Sequence, residues 1–512
     1  MTQELKELMR SDISLFSQKI KAFEAGEIDK KAYKGFSGGF GSYAQRNGGN
    51  MLRLRMAGGR LTKERLAYIA DSVDAHQISR LKLTTCQTIQ FHNLNSDSTV
   101  ELMEKALDAG IVTRGGGGDY PRNTMASPLS GVEQGEYFDV LPWAEGAADY
   151  LLTLVRDIHM PRKLKVAFSN GPDNITHATF RDLGFVARPD GTFDVYCAGG
   201  LGPNPKLGVR VAEGVSPEDT IACIDAMIAV FTQFGNYENR AKARTRYLQD
   251  TLGIEGLKAE FEKALAEKRK TSPKLTAVTA ETIAKTSPET IADDRILPQK
   301  QEGLYAVSYH SLGGVLPVTM PRRLYETIKD MPQAECRISP DETLYIINLT
   351  AAEAKEVLAL TSDGAETPFQ HSVCCIGASI CQQGVRDSQE LFASMVEAVE
   401  KAGLPGNALP LVHISGCPSS CGTQQIGTLG FQGGVKKADG AVQPAFTLLL
   451  NGNDHQGSEK FGEPLGSILQ AKIPEFIVAL GKTVAASGLD FDSWLKLHEQ
   501  EFRDLASQYI VE

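Results

Sequence analysis

Four cysteines fall in two pairs whose spacing points to a shared ligand. Cys375 and Cys381 are separated by five residues in Cys-Ile-Gly-Ala-Ser-Ile-Cys, and Cys417 and Cys421 by three in Gly-Cys-Pro-Ser-Ser-Cys-Gly. Thiolates placed this way hold zinc or an iron–sulfur cluster. Structural zinc favours thiols roughly two to four residues apart, and the wider gap after Cys375 fits that poorly. A four-iron cluster accepts wider loops. Unliganded structural thiols are the remaining reading. Cys374 adjoins Cys375 and competes for the ligand role, but the spacing prefers Cys375.

A second group of residues carries positive charge. Arg53 and Arg55 alternate in Met-Leu-Arg-Leu-Arg-Met, so on a strand both side chains share a face. Arg122 follows a run of four glycines. Lys163 and Lys165 alternate in Pro-Arg-Lys-Leu-Lys-Val. One such pair alone reads as a solvated strand face. Several pairs opening strands that are otherwise apolar read as cations converging on a polyanion.

The elements that must position these groups follow from periodicity. Leu409-Pro-Leu-Val-His-Ile-Ser reads as a strand entering the Gly-Cys-Pro turn, and a helix is expected from about Arg386 to Ala402. The chain also repeats itself. Gly58-Gly59 and Asn93-Leu94 recur 255 residues later as Gly313-Gly314 and Asn348-Leu349. Pro172 with Leu183-Gly-Phe recurs 246 residues later as Pro418 with Leu429-Gly-Phe. The chain therefore reads as a duplicated two-part unit, A-B-A′-B′, with an active site at the junction of the halves. Each A segment reads as strand, helix, strand, helix, with Leu83–Leu94 as one alternating run.

The expected organisation is a helical arm over 1–34, a first half over 35–112 and a first α/β domain over 113–270. A Thr-, Ala-, Ser- and Pro-rich linker over 271–299 precedes a second half over 300–366 and a cysteine-bearing α/β domain over 367–512. Residues 490–511 read as an amphipathic helix with Trp494, Leu495, Phe502, Leu505 and Tyr509 to one side.

Bulk properties exclude several classes. With 512 residues, 42% hydrophobic and 23% charged, the chain is an ordinary multidomain globular protein. No apolar run is long enough for a bilayer, and the charged start lacks the core of a signal peptide. A cytoplasmic location is expected, where clustered thiols favour metal or catalysis over disulfides. The net charge of −10 argues against nucleic-acid binding.

The combination of motifs resembles the siroheme- and 4Fe–4S-containing sulfite/nitrite reductases. The resemblance rests on Cys375-x5-Cys381 with Cys417-Pro-x2-Cys421-Gly, Leu83-Thr-Thr-Cys-Gln-Thr-Ile-Gln-Phe-His92, Met51-Leu-Arg-Leu-Arg55, Pro161-Arg-Lys-Leu-Lys165 and Pro298-Gln-Lys-Gln-Glu-Gly303. It runs from about Gly35 through the second half and includes the duplication. It implies a mixed α/β (α+β) fold with two pseudo-twofold ferredoxin-like halves and two siroheme- and cluster-binding α/β domains. It implies cluster ligation by Cys375, Cys381, Cys417 and Cys421, with Cys421 bridging to the siroheme iron. Arg55, Arg122, Lys163 and Lys165 would bind the anionic substrate. Gln90, His92 and Lys300 would contact the siroheme periphery.

The activity implied is six-electron reduction of sulfite to sulfide, with nitrite to ammonia as the alternative. Lys163-x-Lys165 is the sulfite-type pattern, whereas Arg122-Asn-Thr-Met-Ala-Ser-Pro-Leu-Ser-Gly-Val resembles the nitrite-type and mixed branches. One departure stands out. The family usually reads Thr-Thr-Arg-Gln where this chain has Thr84-Thr85-Cys86-Gln87, so another cation must compensate for the missing Arg. Cys86 itself reads as a small buried filler, with a reactive thiol as the lesser reading.

Gly38-Gly-Phe-Gly41 and Gly199-Gly-Leu-Gly202 are weak matches to a dinucleotide fingerprint. Electrons are therefore expected from a separate protein, a small acidic ferredoxin first and a flavoprotein second. Arg240–Arg246 and Lys268–Lys270 are candidate docking stretches. The competing classes are a non-haem 4Fe–4S protein, which leaves the cations unexplained, and a tetrapyrrole-binding module without turnover.

Overall fold

The computed structural model describes residues 3–276 and 283–511. Two five-stranded antiparallel sheets form its centre. The first runs in the order Ser42–Ala44, Asn50–Leu54, Ile89–Leu94, Leu81–Leu83 and Val315–Leu316. The second runs Ile296–Pro298, Tyr305–His310, Thr343–Leu349, Glu335–Ile338 and Arg60–Leu61. Each sheet thus takes its last strand from the other half of the chain. Val315 pairs with Lys82, and Arg337 pairs with Arg60.

This exchange depends on the paired glycines. Gly58 and Gly59 have φ of 59° and 69°, and Gly313 and Gly314 have 59° and 66°. A Cβ on Gly59 would stand 2.3 Å from the Ile338 carbonyl oxygen, so only glycine lets the two halves cross so closely. The repeat extends to side chains. Asn93 and Asn348 both have φ of 62°. The Gln45 side chain accepts from Asn93 N (2.8 Å) and donates to its Oδ1 (3.0 Å); Gln299 does the same to Asn348 at 2.6 and 3.0 Å.

The run Leu83–Leu94 differs from expectation. It is the second arm and turn of a hairpin: Leu81–Leu83 pairs with Ile89–Leu94, and Cys86 lies in the turn between them. The turn forms because the Thr84 amide donates to the Thr88 carbonyl at 3.1 Å, the two hydroxyls meet at 2.7 Å, and Gln87 takes a left-handed φ of 54°.

Two further sheets repeat one topology. Met125–Ala126, Val166–Ser169 and Leu183–Ala187 are parallel, followed by antiparallel Phe193–Cys197 and Val209–Val215. Val373–Cys374, Val412–Ser415 and Leu429–Ala438 are parallel, followed by antiparallel Ala441–Leu450, Glu463–Leu469 and Ile510–Val511. Helices including Thr220–Phe234 and Leu248–Thr271 pack on the first, and Ser388–Ala402 and Ile473–Ser487 on the second. The two central sheets share one core, joining Leu54 and Phe91 to Val307 and Ile346, and each outer sheet has its own.

The ends are packed rather than loose. Helix Gln3–Glu24 buries Phe16 and Ile20 in the central core. Helix Phe491–Ser507 buries Trp494, Leu495 and Phe502, with Leu505 and Tyr509 partly buried against the same core. The expected linker is shorter than 271–299. Helix Leu248–Thr271 reaches its first residue, Ile296–Pro298 is already a strand, and residues 277–282 lie outside the described residues. No helix among the described residues is long and apolar enough to cross a membrane.

The halves are also joined by charge. Lys82 and Glu342, each only 2% exposed, form an ion pair, and Glu342 Oε2 accepts from the Cys374 amide at 3.3 Å. Removing one partner strands the other charge in the interior. Lys82→Met or Glu342→Gln should each cost about 3–5 kcal/mol in denaturant unfolding, and the combined Lys82→Met/Glu342→Leu variant should lose less than either single change.

Candidate functional site

The thiols are set by backbone turns. Cys374 lies on its strand with a buried side chain, whereas Cys375 follows it and turns the other way. Cys375 Sγ accepts from the Gly416 amide at 3.2 Å and meets Ser388 Oγ at 3.0 Å. Cys381 closes a tight loop, its amide donating to Gly377 O at 2.9 Å. A Cβ on Gly422 would stand 2.0 Å from Ile414 O and 3.2 Å from Cys375 N, so glycine lets the second cysteine loop sit against the first. Burial and the neighbouring Cys375 push the Cys421 thiol up to about 12, with Cys417 and Cys381 adding to the rise and Lys163 opposing it. Cys375, Cys417 and Cys381 thus lie within electrostatic reach of Cys421, while among the described residues no three His, Cys, Asp or Glu side chains stand close enough together to hold a metal ion.

Cys421 is exposed, yet burial is the chief influence on its thiol. The first half approaches it: Thr85 Oγ1 donates to Cys421 O at 3.0 Å, and Lys163 stands within electrostatic reach of the thiol, so the space between these groups is the candidate recess.

The cations are held by carbonyls rather than carboxylates. Arg55 donates to Arg114 O (2.7 Å) and Arg122 O (2.9 Å), and Arg122 to Gly116 O (3.1 Å) and Gly118 O (2.9 Å). The four-glycine run therefore has a use that its sequence did not announce. It brings bare carbonyls onto guanidinium groups, and a Cβ on Gly115 would stand 2.6 Å from Arg55 Nη1. Burial, then Arg122 and Arg114, bring Arg55 down to about 9, and burial brings Arg122 down to about 10. Burial, then Arg244, Arg122 and Lys165, hold the half-buried Lys163 well below the usual lysine range. Lys165 Nζ lies 3.3 Å from Cys86 Sγ. Burial opposes ionisation of Cys86, but Lys165 and Arg181 outweigh it and bring the thiol to about 6. Cys86 is half-buried rather than fully buried: it packs against Met125, Ala167, Ala178 and Val186 as a filler would, and the facing cations lower its thiol.

Gln90 and His92 point to one side of their strand and are buried. With its oxygen turned toward Arg53, Gln90 accepts from Nε at 3.2 Å and Nη2 at 2.6 Å. His92 Nδ1 is buried without a partner, and burial with Arg80 brings the ring down to about 3. Lys300 stands apart from this group. It is exposed and paired with Glu136.

Two site residues were not anticipated. Arg181, 6% exposed, is held by Thr176 O (2.9 Å) and His177 Nδ1 (3.1 Å) and faces Cys86. Arg244 pairs with the buried Asp182 at 3.0 Å and bears on Lys163. With Lys165, Arg181 offers the positive charge that the residue at position 86 does not. Arg244 belongs to a stretch read as a docking surface, and that reading is corrected for two of its arginines. Arg244 turns inward, and Arg246 is buried, donating to Leu201 O (3.2 Å) and Pro203 O (2.6 Å). The signal was Arg-x-Arg spacing, the same alternation that marked Arg53 and Arg55.

These residues fit the cofactors that the sequence implied. Cys375, Cys381, Cys417 and Cys421 are soft donors of the type that would hold an iron–sulfur core. Many cations with few carboxylates, together with unpartnered buried nitrogens on His92, Arg122, Arg244 and Arg246, suit a polycarboxylate tetrapyrrole.

Comparison with known proteins agrees. A family model described as "Nitrite/Sulfite reductase ferredoxin-like half domain" matches residues 43–109, and one described as "Nitrite and sulphite reductase 4Fe-4S domain" matches residues 117–269. A ferredoxin–nitrite reductase of Synechococcus elongatus is 26% identical over 428 residues, covering 78% of this chain and 80% of the relative. A ferredoxin-type sulfite reductase of Mycolicibacterium paratuberculosis is 24% identical over 475 residues, covering 88% and 83%. The structure of the Mycobacterium tuberculosis NirA protein shares the fold, with a TM-score of 0.79 at 23% identity over 98% of this chain and 96% of that one. With its mixed α/β halves and the two family models it matches, this chain belongs to the sulfite/nitrite reductase family of oxidoreductases, which carry siroheme and a 4Fe–4S cluster.

Proposed function

We propose that the chain reduces sulfite to sulfide with six electrons. The observation that carries this reading is the Lys163-x-Lys165 pair, two ammonium groups on one strand entrance, one within reach of Cys421 and the other beside Cys86. Two such groups suit a dianion better than a monoanion. Siroheme would supply the iron chemistry that reduces the anion and the cluster would supply electrons singly; Cys375, Cys381, Cys417 and Cys421 would hold the cluster, with Cys421 the residue that would also serve the siroheme. Gln90, His92 and Lys300 are proposed to meet the siroheme edge, with Lys300 exchanging Glu136 for a carboxylate of the group.

The protein's own part is electrostatic and protonic. Arg55 and Arg122, fixed by carbonyls, present positive potential that needs no reorganisation. Lys163 Nζ is crowded by Arg244 and Arg122, so it holds a proton weakly until an anion offsets them. It then keeps that proton beside the substrate and releases it from Nζ to a departing oxygen. The sign follows from its lowered pKa: protonation is lost as pH rises, so anion affinity should fall as pH rises through that range.

Nitrite is the second reading. The Cys86 thiolate offsets part of the charge on Lys165, which favours a monoanion, and relatives named nitrite reductases match the chain. For the donor we favour a ferredoxin, with a flavoprotein second. Arg46 donates to Gly384 O at 3.0 Å, Arg386 donates its amide to Gly416 O at 2.8 Å, and Lys436 and Lys437 lie on the strand whose Gly433 packs against Gly416. Together they give the outer side of the cysteine loops a basic rim suited to an acidic carrier.

Purified holoenzyme supplied with reduced methyl viologen should release sulfide from sulfite. Ammonia from nitrite without sulfide from sulfite would reverse the substrate order, and no turnover on either anion would overturn both readings. Lys163→Ala should lower kcat/KM by about 10²–10³-fold with the siroheme bands unchanged. Parent-like turnover would remove Lys163 from the site.

A further inference from the structure

Lys163 and Lys165 share a strand entrance but not an environment. Lys163 has Arg244, Arg122 and Lys165 around it, with the side chain of Cys421 opposing their effect. Lys165 Nζ also faces cations, Arg181, Arg244 and Lys163. The nearest carboxylate, Asp182, is engaged elsewhere. It receives Arg244 at 3.0 Å, the Thr245 hydroxyl, and the backbone amide of Lys165 at 2.9 Å. Among the described residues, the side chain recorded in hydrogen-bond contact with Lys165 Nζ is Cys86.

The sulfur is not placed there loosely. Cys86 occupies a hairpin turn clamped by Thr84 and Thr88, its carbonyl accepts from Asn123 Nδ2 at 3.0 Å, and the preceding Thr85 is tied to Cys421 O. Both halves of the molecule therefore fix its position. Its charge is also particular to it. Cys197, Cys223, Cys336 and Cys374 are buried, and burial raises their thiols; Cys86, facing Lys165, Arg181, Arg53 and Arg122, is lowered.

We propose that Cys86 is a positioning residue whose thiolate keeps Lys165 a charged ammonium inside the recess, so that Lys165 serves as a fixed cation while Lys163 exchanges protons. This rests on the reading of the recess as an anion-reducing site and divides the work between its two lysines. Without the thiolate, burial and the facing cations lower Lys165 further, so its charge disappears as pH rises and survives at low pH.

The test compares holoenzyme carrying Cys86→Ala or Cys86→Asp with the parent. Three quantities are read: siroheme content, viologen-driven turnover, and nitrite affinity of the oxidised enzyme from the shift of its siroheme bands. Cys86→Ala should keep its siroheme and stay within about twofold of the parent near pH ~6, but lose about tenfold in turnover and affinity near pH ~9, the scale of one pKa unit. Cys86→Asp, which restores an anion, should follow the parent. A parent-like pH profile for Cys86→Ala, or a Cys86→Asp as impaired as Cys86→Ala, would overturn the proposal. So would siroheme loss in Cys86→Ala, which makes the thiol a cofactor contact instead. A parent enzyme that binds nitrite with this pH pattern but reduces neither anion would overturn the reductase reading alone.

Discussion

Positive charge gathered away from water repels itself, and that repulsion is what the rest of this structure contains. Arg55, Arg122, Lys163, Lys165, Arg181 and Arg244 form a linked set of cations beside the candidate recess, and among the described residues Asp182 is the carboxylate in their ion pairs. Two devices make this tolerable. Glycine carbonyls take the guanidinium protons of Arg122 and Arg53, so charge is spread over dipoles that cannot leave. The remaining imbalance is left for ligands that bring carboxylates and an anion. Buried cations fixed by backbone dipoles are the arrangement expected of a preorganised anion site.

The duplication explains where the two chemistries sit. The loops after Val166–Ser169 and after Val412–Ser415 are equivalent in the repeated topology, and only the second carries cysteines. The residues that open the strand Val166–Ser169 are the lysines. One copy thus carries soft thiols and the other carries positive charge. The crossing of strands at Gly59 and Gly314 brings the two copies face to face.

Much of this could be read in the chain before folding. The two repeat offsets appear in the structure as paired sheets of matching topology, and the cysteine spacing and the alternating cations rest on patterns that the chain displays locally. What escaped was set by backbone conformation and by contacts distant in sequence. The hairpin at Cys86 depends on a left-handed Gln87 and a Thr–Thr bond, neither of which shows in an alternating pattern. Arg181 was not singled out, and Arg244 looked like surface charge, because nothing local says that Asp182 is buried. Lys300, drawn from a motif, stands at the rim with Glu136. The strand Ile296–Pro298 was hidden at the end of a stretch whose composition reads as linker.

The exchange of short strands between the central sheets has a consequence for how the protein is made. The first sheet is finished by Val315–Leu316, so the edge at Leu81–Leu83 stays bare until well over half of the chain has left the ribosome. An open edge of that kind invites pairing with other chains. The hairpin carrying Cys86 hangs from the same edge, and its partner Cys421 emerges later still. Assembly of the recess is therefore a late event in synthesis, and a nascent chain of this length needs its unfinished edge shielded until the second half arrives.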